Sequence, residues 1–230
     1  MRPTHDFGRA RAECIGVRGK IGELRETRLG NSSRLKLYSI FILFKYRTRL
    51  AYTGSMLRPV DIVVLLKLSL GSERPPYLQL AHDLHLYPSE VYTSIKRCRA
   101  SQLVQGPELK DRLNRSALLE FLLHGIRYAF PAKVGALTRG VPTAYAAPPL
   151  AQFIAGGDDP PPVWPIANGT VRGYSFEPLH KNVPRAALED AQLYELLALV
   201  DAVRDGRARE RQLAERELKK RLEAAPGIAS

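Results

Sequence analysis

The sequence predicts a mainly α-helical protein with a small β component, an α+β fold. Three observations lead there. From Met56 onward, apolar residues recur at helical spacing in segment after segment. One intervening stretch, "IRYAFPAKVGALTRGVPTAYAAPPL", is instead rich in β-prone residues and broken by Gly and Pro. The chain then returns to helical period near its end. The 230 residues are 45% hydrophobic, enough for one sizeable core or two small ones.

The elements follow in chain order. Residues 1–55 hold 12 Lys and Arg against 4 Asp and Glu, so most of the net charge of +12 sits in the first quarter. This start has no clear period and is expected to be a disordered extension, or one foreign to the natural protein. The uncharged run Leu37–Phe44 falls well short of the ~20 apolar residues that a membrane helix needs. A β-hairpin or a membrane-surface segment over 35–46 is the alternative.

From Pro59, a residue suited to a first helical turn, Ile62, Leu65, Leu66 and Leu70 share one face, with Asp61 and Lys67 away from it. Gly71 stops this helix. Tyr77, Leu80, Ala81 and Leu84 form a second stripe, which "HLYP" breaks because the residue before a proline avoids helical angles. Pro88 opens a third helix. Val91, Ile95 and Cys98 face inward; Ser89, Thr93, Lys96 and Ala100 face outward, flanked by Tyr92 and Arg97. Glu90 stands in its first turn, where the helix dipole favours a negative charge. "QGPELKDR" reads as a loop. Asn114 then caps a helix over "ALLEFLLHG", with Leu113 and Leu118 as a staple across the cap and Gly125 as the stop.

"AGGDDPPPVWP" reads as a linker or exposed loop, and Trp164, the only tryptophan, as a packing anchor. Asn168-Gly169 between two β-prone runs suggests a hairpin. From Pro184 to Arg204, Leu193, Leu196, Leu197, Val200 and Val203 make a broad apolar stripe. Beyond Gly206, Ala214, Leu218, Leu222 and Ala225 make a narrow one on a charge-dense helix. The resulting domain plan is an extension over 1–55, a DNA-binding domain over 56–150, a linker over 151–165, and a β-hairpin with C-terminal helices over 166–230.

"LAHDLHLYPSEVYTSIKRCRASQLV" resembles the winged-helix and helix-turn-helix regulators of bacteria, such as the multiple-antibiotic-resistance type. Leu80, Ala81, Leu84, Leu86, Pro88, Ser89, Val91, Ile95, Leu103 and Val104 fall in register with their pattern. The resemblance implies that 77–86 supports and that 88–101 is a recognition helix. Tyr87 departs from the usual Ser at the cap, Cys98 from a core Leu, and Ser101-Gln102 from the usual small-Gly turn. The family's hairpin would follow Val104. A fainter likeness links "LYELLALVDAVRDGRARER" to small DNA-binding proteins encoded beside nucleotidyltransferase-type toxins.

Small hydroxyls beside Lys and Arg suit a major groove, where they meet base edges and phosphates. Ser89, Tyr92, Thr93, Lys96 and Arg97 are therefore the expected DNA-binding residues. A solvated helix face would carry the same pattern. The expected function is a DNA-binding transcription regulator on double-stranded DNA, a homodimer joined through its C-terminal helices. The alternative is an interaction module, an antitoxin-like partner of a protein encoded nearby. Two cysteines make no disulfide framework and fit a cytoplasmic setting without membrane attachment. No catalytic, metal or cofactor site is expected. "GTVRG" lacks the setting of a phosphate loop, His82 and His85 lack a third ligand, adjacent Glu189 and Asp190 point apart, and Cys98 lacks a base.

Overall fold

A computed structural model describes residues 56–71, 75–106, 112–154 and 159–224; the expectations for residues 1–55 lie outside it. Thr53–Ser230 form a unit of their own. Within it the fold is α+β, mostly helical with a small mixed sheet.

Helix α1 (Pro59–Ser69) is followed by α2 (Tyr77–Asp83) and α3 (Pro88–Ala100). Two very short strands, β1 (Val104–Gln105) and β2 (Arg112–Leu113), pair antiparallel. The sequence suggested only a loop here, because two residues per strand are too few for alternation to show. Helix α4 runs over 115–129 as Arg115–Glu120, a π turn at Phe121–Gly125, and Ile126–Ala129. Asn114 caps it as expected, its side chain accepting from Ala117 N–H at 3.1 Å. Gly125 does not stop it. The chain passes through in helical conformation, and a Cβ there would stand 2.9 Å from the Phe121 ring.

The strands β3 (Val134–Pro142), β4 (Pro162–Pro165) and β5 (Val171–Phe176) then close into a small ring. β3 pairs antiparallel with both others, while β4 and β5 touch in parallel at Pro162–Tyr174 and Val163–Ser175. The hairpin expected at Asn168-Gly169 is therefore not there. Gly169 N–H does close a turn on Ile166 C=O at 3.0 Å, but both strands beside it are drawn to β3. Two glycines allow the closure: a Cβ on Gly173 would lie 1.9 Å from Pro161 O, and one on Gly140 2.1 Å from Trp164 O. The stretch 151–165 is likewise more than a linker, since it supplies β4 and the fully buried Trp164.

Helices α5 (Val183–Glu189), α6 (Ala191–Asp205) and α7 (Ala208–Ala224) complete the unit. The single helix expected from Pro184 is split at Asp190, whose carboxylate leaves helical geometry to cap α6 by accepting from Leu193 N–H at 3.0 Å. Helix α6 is the central post. It packs against α1, α5, α7 and the end of α4, and an apolar helix on all sides belongs in an interior. Asp201 on α6 accepts hydrogen bonds from Trp164 Nε1 at 2.7 Å and Thr143 Oγ1 at 2.9 Å, and pairs with Arg204 at 2.7 Å. Arg204 also donates to Phe130 C=O at 2.9 Å. This buried cluster fastens the sheet to α6, with Trp164 as the anchor. One continuous core spans the segments before and after 151–165.

Candidate nucleic-acid interface

Helix α3 presents the face of interest. Pro88 at its first turn needs no hydrogen-bond acceptor. Tyr87 provides no side-chain cap; Glu90 reaches back instead, its carboxylate accepting from Tyr87 N–H at 2.9 Å. Val91, Ser94, Ile95 and Cys98 are buried on the inner side. Ser89, Tyr92, Thr93, Lys96 and Ala100 are exposed together on the outer side. The Thr93 hydroxyl donates to Ser89 C=O at 2.7 Å, so its proton is spent within the helix and only its lone pairs and methyl are left for an outside partner. Tyr92 meets Tyr77 of α2 edge to face, ring centroids 6.0 Å apart, which orients it at the rim of this face.

Arg97 is not on the exposed flank as the sequence suggested. It is only 8% exposed and is bound to Asp61, itself 0% exposed, by Nε to Oδ2 at 2.8 Å and Nη2 to Oδ1 at 2.5 Å. Asp61 also accepts from Arg58 N–H at 2.8 Å. The sequence placed Asp61 away from the packed face of α1; this too is corrected. Both residues stand at the margins of their apolar stripes, and where α1 crosses α3 those margins meet. The aliphatic stem of Arg97 lets its head turn inward to a buried charge rather than outward to water. Its pairing with Asp61, working against burial, holds the guanidinium above its ordinary value. Four of the five expected DNA-binding residues thus remain on the outer face, and Arg97 is a brace beneath it.

The turns beside α3 are built alike. His85 (φ 52°) and Gln102 (φ 60°) take left-handed backbone conformations without being glycine. In each case a 6→1 bond closes the preceding helix: Leu86 N–H to Ala81 C=O at 2.8 Å, and Leu103 N–H to Cys98 C=O at 2.9 Å. His85 is held further by Glu189 at 3.0 Å and by Asn182 Nδ2, which donates to its carbonyl. Arg115 donates to Ser69 C=O at 2.8 Å and Gly71 C=O at 3.0 Å, covering the open end of α1. Lys67 bridges Asp83 of α2 at 3.0 Å and Asp190 at 2.9 Å. Burial pushes both carboxyls up, but hydrogen bonds from Lys67, with Gln79 on Asp83 and Leu193 N–H on Asp190, hold them below their ordinary value. The outer face of α3 therefore rides on a helix set whose joints are polar and specific.

Chemistry has less to work with. Burial, helped by the Asp61 charge, pushes the Cys98 thiol up to about 12, so it is a protonated core group at neutral pH. His82 is exposed beside Asp83, while His85 turns to Glu189. Among the described residues no three His, Cys, Asp or Glu side chains are arranged to hold a metal ion, and no helix is long and apolar enough to cross a membrane. The C-terminal helices are expected to join two copies, but their apolar stripe is used within the chain: Leu196, Leu197, Val200, Ala214, Leu218 and Leu222 are all buried there. What α7 leaves outside is mostly charged.

Comparison with protein-family models, with curated proteins and with solved structures finds no match to the chain.

Proposed function

We propose that the protein is a DNA-binding regulator of the winged-helix kind, which lays α3 in the major groove of a duplex. The observation that carries this is the exposed outer row Ser89, Tyr92, Thr93 and Lys96, with no carboxylate among them, on a helix whose inner row is fully packed. Two features support it. The α2–turn–α3 unit closes tightly through the left-handed His85, and the β1–β2 hairpin follows α3 directly, where a wing would lie beside the groove. Lys96 would reach guanine or phosphate, Ser89 and Thr93 would offer oxygen atoms to base edges, and the Thr93 methyl would meet a thymine methyl. Tyr92 would pack along the sugar–phosphate wall.

A single such helix covers few base pairs, so the working species is a homodimer with half-sites about one helical turn, roughly 34 Å, apart. Its interface is a surface other than the apolar stripe of α6 and α7.

Selection of duplexes from a random pool tests this reading. A repeated, preferably palindromic, motif should emerge. Failure to enrich any motif over several rounds refutes sequence reading.

One observation favours a second reading, a protein-interaction module. Leu78, Tyr87 and Tyr92 are all exposed on or beside α2 and α3. Exposed apolar residues of this size suit a protein partner, for which the helix pair would be scaffold only. In that case the selection returns nothing, and Leu78→Glu abolishes capture of the partner.

A further inference from the structure

The ring of strands carries a feature that the α3 reading does not use. In β3 and β5 the pairs Leu137–Tyr174 and Arg139–Arg172 stand directly opposite each other. Residues opposite in an antiparallel pair share a face, as do residues two apart along a strand. All four side chains therefore project from one side of the ribbon, and all four are exposed, Leu137 by 45% and Tyr174 by 42%. The other side is closed: Gly173 lies against Pro161 and Val163.

Two arginines directly opposite repel one another, which costs stability. Among the described residues neither has an ion-pair partner to offset this, whereas nearby Lys133 is paired with Glu177 at 3.2 Å. Beside them an aromatic ring and a leucine stand half in water. The face thus combines a double positive charge, suited to phosphate oxygens, with a ring able to stack on a flat partner. We infer that this face of the β3–β5 ribbon binds single-stranded nucleic acid, with Arg139 and Arg172 on its phosphates and a base stacked on Tyr174.

The chemistry favours a single strand over a duplex. Stacking on Tyr174 needs an unpaired base with a free face, and aromatic platforms beside a basic track are how sequence-tolerant single-strand binding is built. The inference does not depend on the role of α3, and its test keeps the two apart.

The test measures fluorescence anisotropy of a labelled 12-nucleotide oligothymidine, and of a random duplex, with the full chain at several salt concentrations. The parent should bind the single strand more tightly than the duplex. Arg139→Ala with Arg172→Ala should lower the salt slope for the single strand by about 1.4, at roughly 0.7 for each phosphate no longer neutralised. Tyr174→Ala should weaken binding about five- to a hundred-fold. Removing either arginine should leave the melting temperature equal or higher, since a repulsion is relieved, while Tyr174→Ala, which gives up the ring opposite Leu137, should lower it only slightly. Lys96→Ala should leave oligothymidine binding unchanged, because α3 takes no part. Oligothymidine bound equally by the parent and the double variant overturns the inference. So does a parent that fails to bind the single strand, or one that binds duplex equally well through the same arginines.

Discussion

Replacing Arg97 by alanine should damage the fold rather than DNA binding. The substitution removes both hydrogen bonds from a carboxylate that is 0% exposed and leaves Arg58 N–H as its remaining donor among those described above. Breaking a buried ion pair on one side typically costs about 3–5 kcal/mol, because the other charge is left uncompensated. Against a total stability of about 5–15 kcal/mol this is a large share. In a unit of this size it corresponds to roughly 6–20 °C in melting temperature, at about 2–4 °C per kcal/mol. Urea unfolding followed by circular dichroism gives the value directly. The double variant Asp61→Leu with Arg97→Met should recover most of the loss, since an apolar pair of similar size replaces a buried ion pair at little cost. An Arg97→Ala protein that melts within about 2 °C of the parent, yet loses about one unit of salt slope on random duplex, would refute this placement and restore the residue to the DNA-facing flank.

Three further outcomes follow from the structure. Gln102→Gly should stabilise by up to about 1 kcal/mol, read from the urea midpoint, because a left-handed position costs every residue but glycine. Gly173→Ala should destabilise by about 1–3 kcal/mol or more, as its Cβ would meet Pro161 O at 1.9 Å and the strand ring would have to open. Stability should fall on acidification: Asp83 and Asp190 are depressed in the folded protein, so their contribution is whole above the unfolded value near 3.8 and is lost below it, as pH falls through the lower folded values. Lys67→Met should flatten that acid limb, which equilibrium unfolding between about pH 2 and 6 can measure.

Much of the helical plan was legible because apolar spacing and caps agree. Pro59, Pro88 and Asn114 each open a helix where their chemistry places one, and Val91, Ile95 and Cys98 are buried as their spacing requires. What escaped the sequence was set by packing between distant segments. Asp61 and Arg97 look like surface charges when each helix is taken alone, and only the crossing of α1 over α3 makes them partners. The pairing of β4 and β5 with β3, rather than with each other as a hairpin, depends on close approaches that Gly140 and Gly173 permit. The exposed row of α3 was visible from helical period alone, whereas the Arg139–Arg172 pair needed the register of β3 against β5. The break at Asp190 is missed when 184–204 is taken as one helix, although the apolar stripe begins only at Leu193 and an Asp that caps a helix is a local signal.

The central claim is that the outer face of α3 reads base pairs, and Lys96 tests it most directly. Binding curves for the parent and Lys96→Ala are to be measured on the selected duplex, on its single-base variants and on random duplex, at two salt concentrations. The account expects Lys96→Ala to lose about 1–3 kcal/mol on the selected duplex and to relax preference at one or two positions, with an unchanged melting temperature because the side chain faces solvent. Equal affinity and equal base preference in the two proteins would contradict it, and α3 would then be scaffold.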